Sequence, residues 1–103
     1  MIDSHTGDVL AALADAKARA MEHCGVVMES YAKALAPVRT GNLRNSVTHA
    51  SDDERAIVGT NVEYAPHVEL GTVKQKAKPF LVPAVRDNIP TYKRIIQYEL
   101  SRP

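Results

Sequence analysis

The stretch from Asp8 to about Ala36 constrains the fold more than any other part of the chain. Leu10, Leu13, Met21, Cys24, Val27 or Met28, Tyr31 and Leu35 recur mostly at three- and four-residue steps, the spacing that keeps side chains on one side of an α-helix. Lys17, Arg19, Glu22, Glu29 and Lys33 fall mostly elsewhere. Thr6 or Asp8 is suited to cap the start. Pro37 ends the helix, because a proline disfavours the α conformation at the residue before it. At ~1.5 Å per residue such a helix is about 40 Å long. That is long for a chain of 103 residues, so one end is expected to project or to meet a neighbour. Gly25 weakens the helix in its middle by about 1 kcal/mol relative to alanine.

The rest of the chain is cut into short pieces. Thr40 is a good N-cap for a brief helical turn through Asn42 and Leu43. Ser46 to Ala50 alternates like a strand, "SDDE" signals a turn, and Arg55 to Thr60 reads as the return strand of a β-hairpin. A lone hairpin is barely stable, so this one must pack on the long helix or gain strands from elsewhere. In "NVEYAPHVELG", Pro66 suits a first helical turn and Gly71 a C-cap. Val68 and Leu70 would anchor that segment, and Tyr64 would bury its ring. A polar loop runs from Thr72 to Lys78. "PFLVPAV" then re-enters the core, with a helix beginning near Pro83. Ile89, Tyr92, Ile95, Ile96 and Leu100 continue the helical period, and Pro90 marks a kink or break. The expected class is α+β: a long N-terminal helix and a C-terminal helix packed on a small antiparallel β-sheet, in one domain spanning 1–103.

Composition limits the functions such a domain can serve. Hydrophobic residues make up 45% of the chain, enough for a core and too many for a disordered tail. Aromatics are 5% and tryptophan is absent, so that core must be aliphatic and alanine-rich. A domain of this size hides only about two thirds of the surface its unfolded chain exposes, so partners add stability. The net charge of +1 argues against a dedicated nucleic-acid binder, which carries a clear basic excess. The single Cys24 cannot form an internal disulfide. No apolar run approaches the ~20 residues needed to span a bilayer. The N-terminus lacks the basic region of a signal peptide, so a soluble intracellular product with no membrane partner is expected.

The chemistry-bearing residues have plain readings. His67 and Glu69 sit two apart with no cysteine or second histidine nearby in sequence, a weak basis for a metal site. Cys24 lies on the apolar stripe and reads as structural. Asp52, Asp53 and Glu54 read as a solvated hairpin tip. Ser46 has no identifiable catalytic partner, and no phosphate loop or dinucleotide fingerprint is present. A small hydrolase would need convergent polar groups in a pocket, and a DNA-binding regulator a basic face. No cofactor is indicated. Lys74, Lys76 and Lys78 alternate, so in an extended loop their ammonium groups would line one side. No aromatic interleaves them, so base stacking is not indicated. The loop reads as a solvated arm, or as one that reaches an acidic neighbour or lines a channel carrying DNA.

Three motifs in order carry a resemblance: "APVRTGNLRNSV", "VGTNVEYAPHVELGT" and "KPFLVPAV". Their residues are Pro37, Thr40, Gly41, Leu43 and Ser46; Gly59; Tyr64, Ala65, Glu69, Gly71 and Thr72; and Pro79, Phe80, Pro83 and Ala84. From about Ala36 to Val85 the chain resembles the small tail-component or head–tail joining family of long-tailed bacteriophages, the siphophages. The resemblance implies a non-enzymatic virion protein of the tail-completion or neck type. It implies a ring of copies of this chain, commonly sixfold, at the head–tail junction. Neighbouring neck and tail-tube proteins would be partners, and DNA would pass through the lumen. Before assembly the subunit would stand in the host cytoplasm. A tail terminator or a head-closure component of the same neck is the nearest alternative. The motif residues then read as architectural: glycines for turns, prolines for chain direction, Tyr64 and Phe80 for the core. Glu69 would pair with a basic group in its own or a neighbouring subunit.

Overall fold

A computed structural model describes residues 5–37, 42–71, 73 and 76–102, with backbone alone at His5 and Thr6. The cap expected at Thr40, and the motif or loop residues Gly41, Thr72 and Lys74, lie outside what is described. The elements in order are α1 (His5–Leu35), α2 (Asn42–Ser46), β1 (Thr48–Ser51), β2 (Ala56–Gly59), α3 (Ala65–Leu70), α4 (Leu81–Arg86) and α5 (Ile89–Ser101). α1 already includes both Thr6 and Asp8, so, against expectation, neither stands at its N-cap. The class is α+β, as expected. Two antiparallel strands form the sheet, with Thr48 opposite Gly59 and Ser51 opposite Ala56.

Local chemistry sets the boundaries. The Ala36 N–H closes the last turn of α1 on the Ala32 carbonyl at 2.9 Å, and Pro37 has no N–H with which to continue. At the hairpin tip, Asp52 Oδ1 accepts the Glu54 and Arg55 N–H groups, both at 2.8 Å. Those two bonds hold the Asp52 carboxyl below its usual pKa. Pro90 stands in the first turn of α5, where its missing N–H costs nothing. It therefore opens a new helix after α4 rather than kinking a continuous one. Pro83 is tolerated inside α4 for the same reason.

The packed face of α1 differs from the stripe of large apolar residues. Its buried side chains are Ala16, Ala20, Cys24, Met28 and Ala32, each four positions on, a row that Ala36 continues just past its end, with Gly25 buried beside them. Leu10, Leu13, Tyr31 and Leu35 are 36–60% exposed. Small side chains let the other elements approach the helix axis closely, and the large ones are pushed to the flanks or lie where nothing packs. A four-residue step turns a helix by ~40° beyond one full turn, so the row winds around α1 and presents its two halves to different elements. Cys24 and Met28 meet Tyr92, Ile95 and Ile96 of α5. Ala32 and Ala36 meet Leu43, Val47, Ala65, Phe80 and Ala84.

Two cores strung along one helix make an elongated body. It measures 66 × 23 × 21 Å with a radius of gyration of 17.5 Å, where a compact chain of this length has ~13 Å. From Gly7 to Leu13 every side chain of α1 is exposed. No helix among the described residues is long and apolar enough to cross a membrane.

Candidate assembly surface

The second and third motifs meet at one carboxylate. α4 starts at Phe80, which has no side-chain cap of its own. Glu69, from α3, takes that role. Its Oε1 accepts the N–H groups of Phe80 at 3.0 Å and Leu81 at 2.9 Å, and its Oε2 accepts that of Val82 at 3.2 Å. These are donors that a helix start leaves unpaired, and a negative charge there also suits the helix dipole. Within its own chain Glu69 is therefore engaged by backbone amides. The corner is closed by Gly71, whose φ of 79° favours glycine. The Lys78 N–H donates to the Val68 carbonyl at 2.8 Å, which ties the returning chain to α3.

Other motif residues are divided between core and surface. Phe80 and Ala84 are fully buried and Leu43 and Ala65 nearly so. Ser46 Oγ donates to the Leu43 carbonyl at 2.6 Å and shares a hydrogen bond with Thr60 Oγ1, which in turn accepts the Val62 N–H. The motif serine thus ties α2 to the end of the hairpin. Pro37 and Pro83 are half-buried, and Pro79 is exposed. Gly59 has open space where a Cβ would stand. Two expectations fail here. Tyr64 is 41% exposed and Leu70 79% exposed, because the short α3 buries only the face carrying Ala65 and Val68. Lys76 and Lys78 are exposed beside them.

A polar clamp that sequence reasoning missed fixes the hairpin to α1. β1 crosses the helix at Gly25, where an added Cβ would stand 2.6 Å from His49 Cδ2. The imidazole lies in that gap, with Nδ1 3.0 Å from Glu29 Oε1 and Nε2 3.0 Å from Glu22 Oε2. Ser51 Oγ donates to Glu22 Oε1 at 2.8 Å, and Lys33 Nζ stands 3.2 Å from Glu29 Oε2. A neutral imidazole has one N–H, so donation at both ends needs the imidazolium. The hydrogen bonds to Glu29 and Glu22 raise the His49 pKa above 6.5, and the bonds from His49 lower those of both glutamates below 4.5. The one available signal was a glycine inside a helix, flanked by Glu22 and Glu29.

The clamp leads to two expected results. Gly25→Ala should displace His49 and weaken hairpin docking, whereas in a His49→Ala background it should stabilise by up to ~1 kcal/mol through helix propensity. A double-mutant cycle by urea unfolding measures the coupling, and additive effects would contradict the contact. The pH dependence follows from the signs of the shifts. His49 contributes fully below its unfolded pKa and loses that contribution as pH rises through its higher folded value. Glu22 and Glu29 contribute above their unfolded values and lose it as pH falls through their lowered ones. Docking is therefore strongest between the two windows. His49→Gln should flatten the fall in Tm as pH rises above the ordinary histidine value of about 6.5; an unchanged slope would count against the clamp.

A second cluster joins α1 to α5. Glu99 is 5% exposed, with Arg102 Nη1 at 3.1 Å, Arg19 Nε at 3.5 Å and His23 Nδ1 at 4.0 Å. The Tyr92 hydroxyl donates to the Ala84 carbonyl, and burial pushes its pKa up to about 12. Cys24 Sγ lies 3.8 Å from the Tyr92 carbonyl oxygen, and burial raises the thiol, which disfavours the reactive thiolate. Among the described residues no three His, Cys, Asp or Glu side chains converge as for a metal ion. Open, mostly apolar grooves of ≈ 390 and ≈ 420 Å³ lie among the described residues. One lies between α1, α5 and the hairpin tip, the other between β2 and α4.

These features define an elongated α+β subunit whose described motif residues mostly hold its parts together, and whose apolar surface is left over along a rod. Residues 5–71 match the family described as "Bacteriophage HK97-gp10, putative tail-component". The chain belongs to that family. The match runs from α1 to the end of α3, and the α4 motif lies beyond it. No curated protein and no solved structure matches the chain. A phage tail component is a virion protein that meets other tail proteins, and the family indicates a structural role.

Proposed function

We propose that this chain, as one domain over residues 1–103, is a tail-completion subunit. Copies of it form a ring, sixfold by the family resemblance, that joins the finished tail to the neck and lets DNA pass through its lumen. The observation that carries this reading is the tail-component family match. The elongated body supports it: a radius of gyration of 17.5 Å leaves surface for neighbours to cover. The lysine loop faces the lumen or the adjoining layer. Electron microscopy of particles from a phage or prophage lacking this gene tests the proposal. Filled heads beside unattached tails are expected. Tails that are also overlong would assign it tube termination as well, and leaking heads would move it to the head side. Normal infective particles would refute it.

A further inference from the structure

The arm between α3 and α4 and the groove near the hairpin tip have complementary chemistry and lie far apart. Leu70 is 79% exposed, and Val73 is fully exposed. Lys76 and Lys78, also exposed, follow them, so the arm presents apolar side chains beside positive charge. The groove of ≈ 390 Å³ is lined by apolar Leu13, Ala20, Met21, Ile96 and Leu100 and by the acidic Asp53 and Glu54. Lys17 also lines it, on the α1 side. No ion pair engages Asp53 or Glu54 among the described residues. An apolar lining with two carboxylates matches an apolar arm with lysines.

The arm cannot fill the groove of its own chain. Its base is closed by the Lys78 N–H on the Val68 carbonyl, so its tip reaches at most about 12 Å from there. Phe80 anchors that base against Ala32 and Ala36, whereas the groove lies beside Lys17 and Met21. Along α1 the two places are about 20–25 Å apart.

We infer that Leu70 and Val73 of one copy dock in the Leu13–Met21–Ile96–Leu100 groove of a second copy, with Lys76 and Lys78 against its Asp53 and Glu54. The inference rests on the ring reading and deepens it. Different patches meet, so the contact is head to tail, the kind that generates a closed ring when its rotation closes.

Tails assembled with a chain carrying both Val73→Cys and Leu100→Cys test it, using a short bis-maleimide; Cys24 is buried. A ladder at multiples of 11.3 kDa is expected. Single-substituted chains should cross-link only when mixed, to a dimer. Charge reversal of Lys76 and Lys78 to Glu, or of Asp53 and Glu54 to Lys, should weaken association roughly 100-fold, and the two variants combined should recover it. Bands containing another tail protein instead of the ladder would overturn the second-copy assignment. Cross-linking indifferent to all four charges would overturn the contact. Both results leave the ring reading standing, which fails separately if the chain is absent from particles.

Discussion

Phe80→Ala is expected to lower the unfolding free energy by ~3–5 kcal/mol, the largest effect of any single truncation in this chain. Phe80 is the one phenylalanine of the chain, is fully buried, and fills the space between Ala32, Ala36, Leu43, Val47 and Ala84. Four of the six other buried residues of its cluster are alanines, which have no rotamers with which to collapse into the void. The relaxation that softens many such substitutions is therefore small here. Against a total of ~5–15 kcal/mol for a typical domain, the variant stands near the edge of folding. Urea unfolding followed by far-UV circular dichroism reads the change. A loss below ~1 kcal/mol would mean that the core around α4 is not packed as described.

Glu69→Ala should follow at ~2–4 kcal/mol, because it leaves three backbone donors of α4 without their charged acceptor. For a domain of this size that is a fall in Tm of roughly 10–30 °C. Glu69→Gln keeps one acceptor oxygen and should recover about half of the loss. The effect has a location as well as a size: amides of Phe80, Leu81 and Val82 should lose exchange protection before those of α5. Equal loss of protection in both helices would indicate a general rather than a capping role. Because Glu69 binds the Phe80 amide directly, the two substitutions should fall short of additive.

Element types were largely legible in the sequence, and the reasons are local. Pro37, the "SDDE" turn and Pro90 each act on the backbone beside them. Side-chain partners were less legible, since they depend on what lies opposite. Leu10, Leu13, Tyr31 and Leu35 looked like the core face because periodicity weighs hydrophobicity, whereas closeness of approach selected the alanines between them. Tyr64 and Leu70 were misjudged because a six-residue helix has few positions to bury. The backbone partners of Glu69, which begin eleven residues away at Phe80, were not foreseen. The signal was present: a helix opening at Phe80 has no Ser, Thr, Asp or Asn to cap it, so its acceptors had to come from elsewhere. The family match itself stops at Gly71, just short of the segment that Glu69 holds.

The uncovered beginning of α1 bears on how the subunit behaves before it meets its neighbours. Helical turns without tertiary contacts open with free energies near zero, while packed ones approach the global value. Amide exchange should therefore slow stepwise along a single continuous helix, from rapid around Val9 to slowest around Ala32. A neighbour that covers the Leu13 end would bring the slow region forward by one to two turns. The same helix thus records, residue by residue, whether the subunit is still free or already in place.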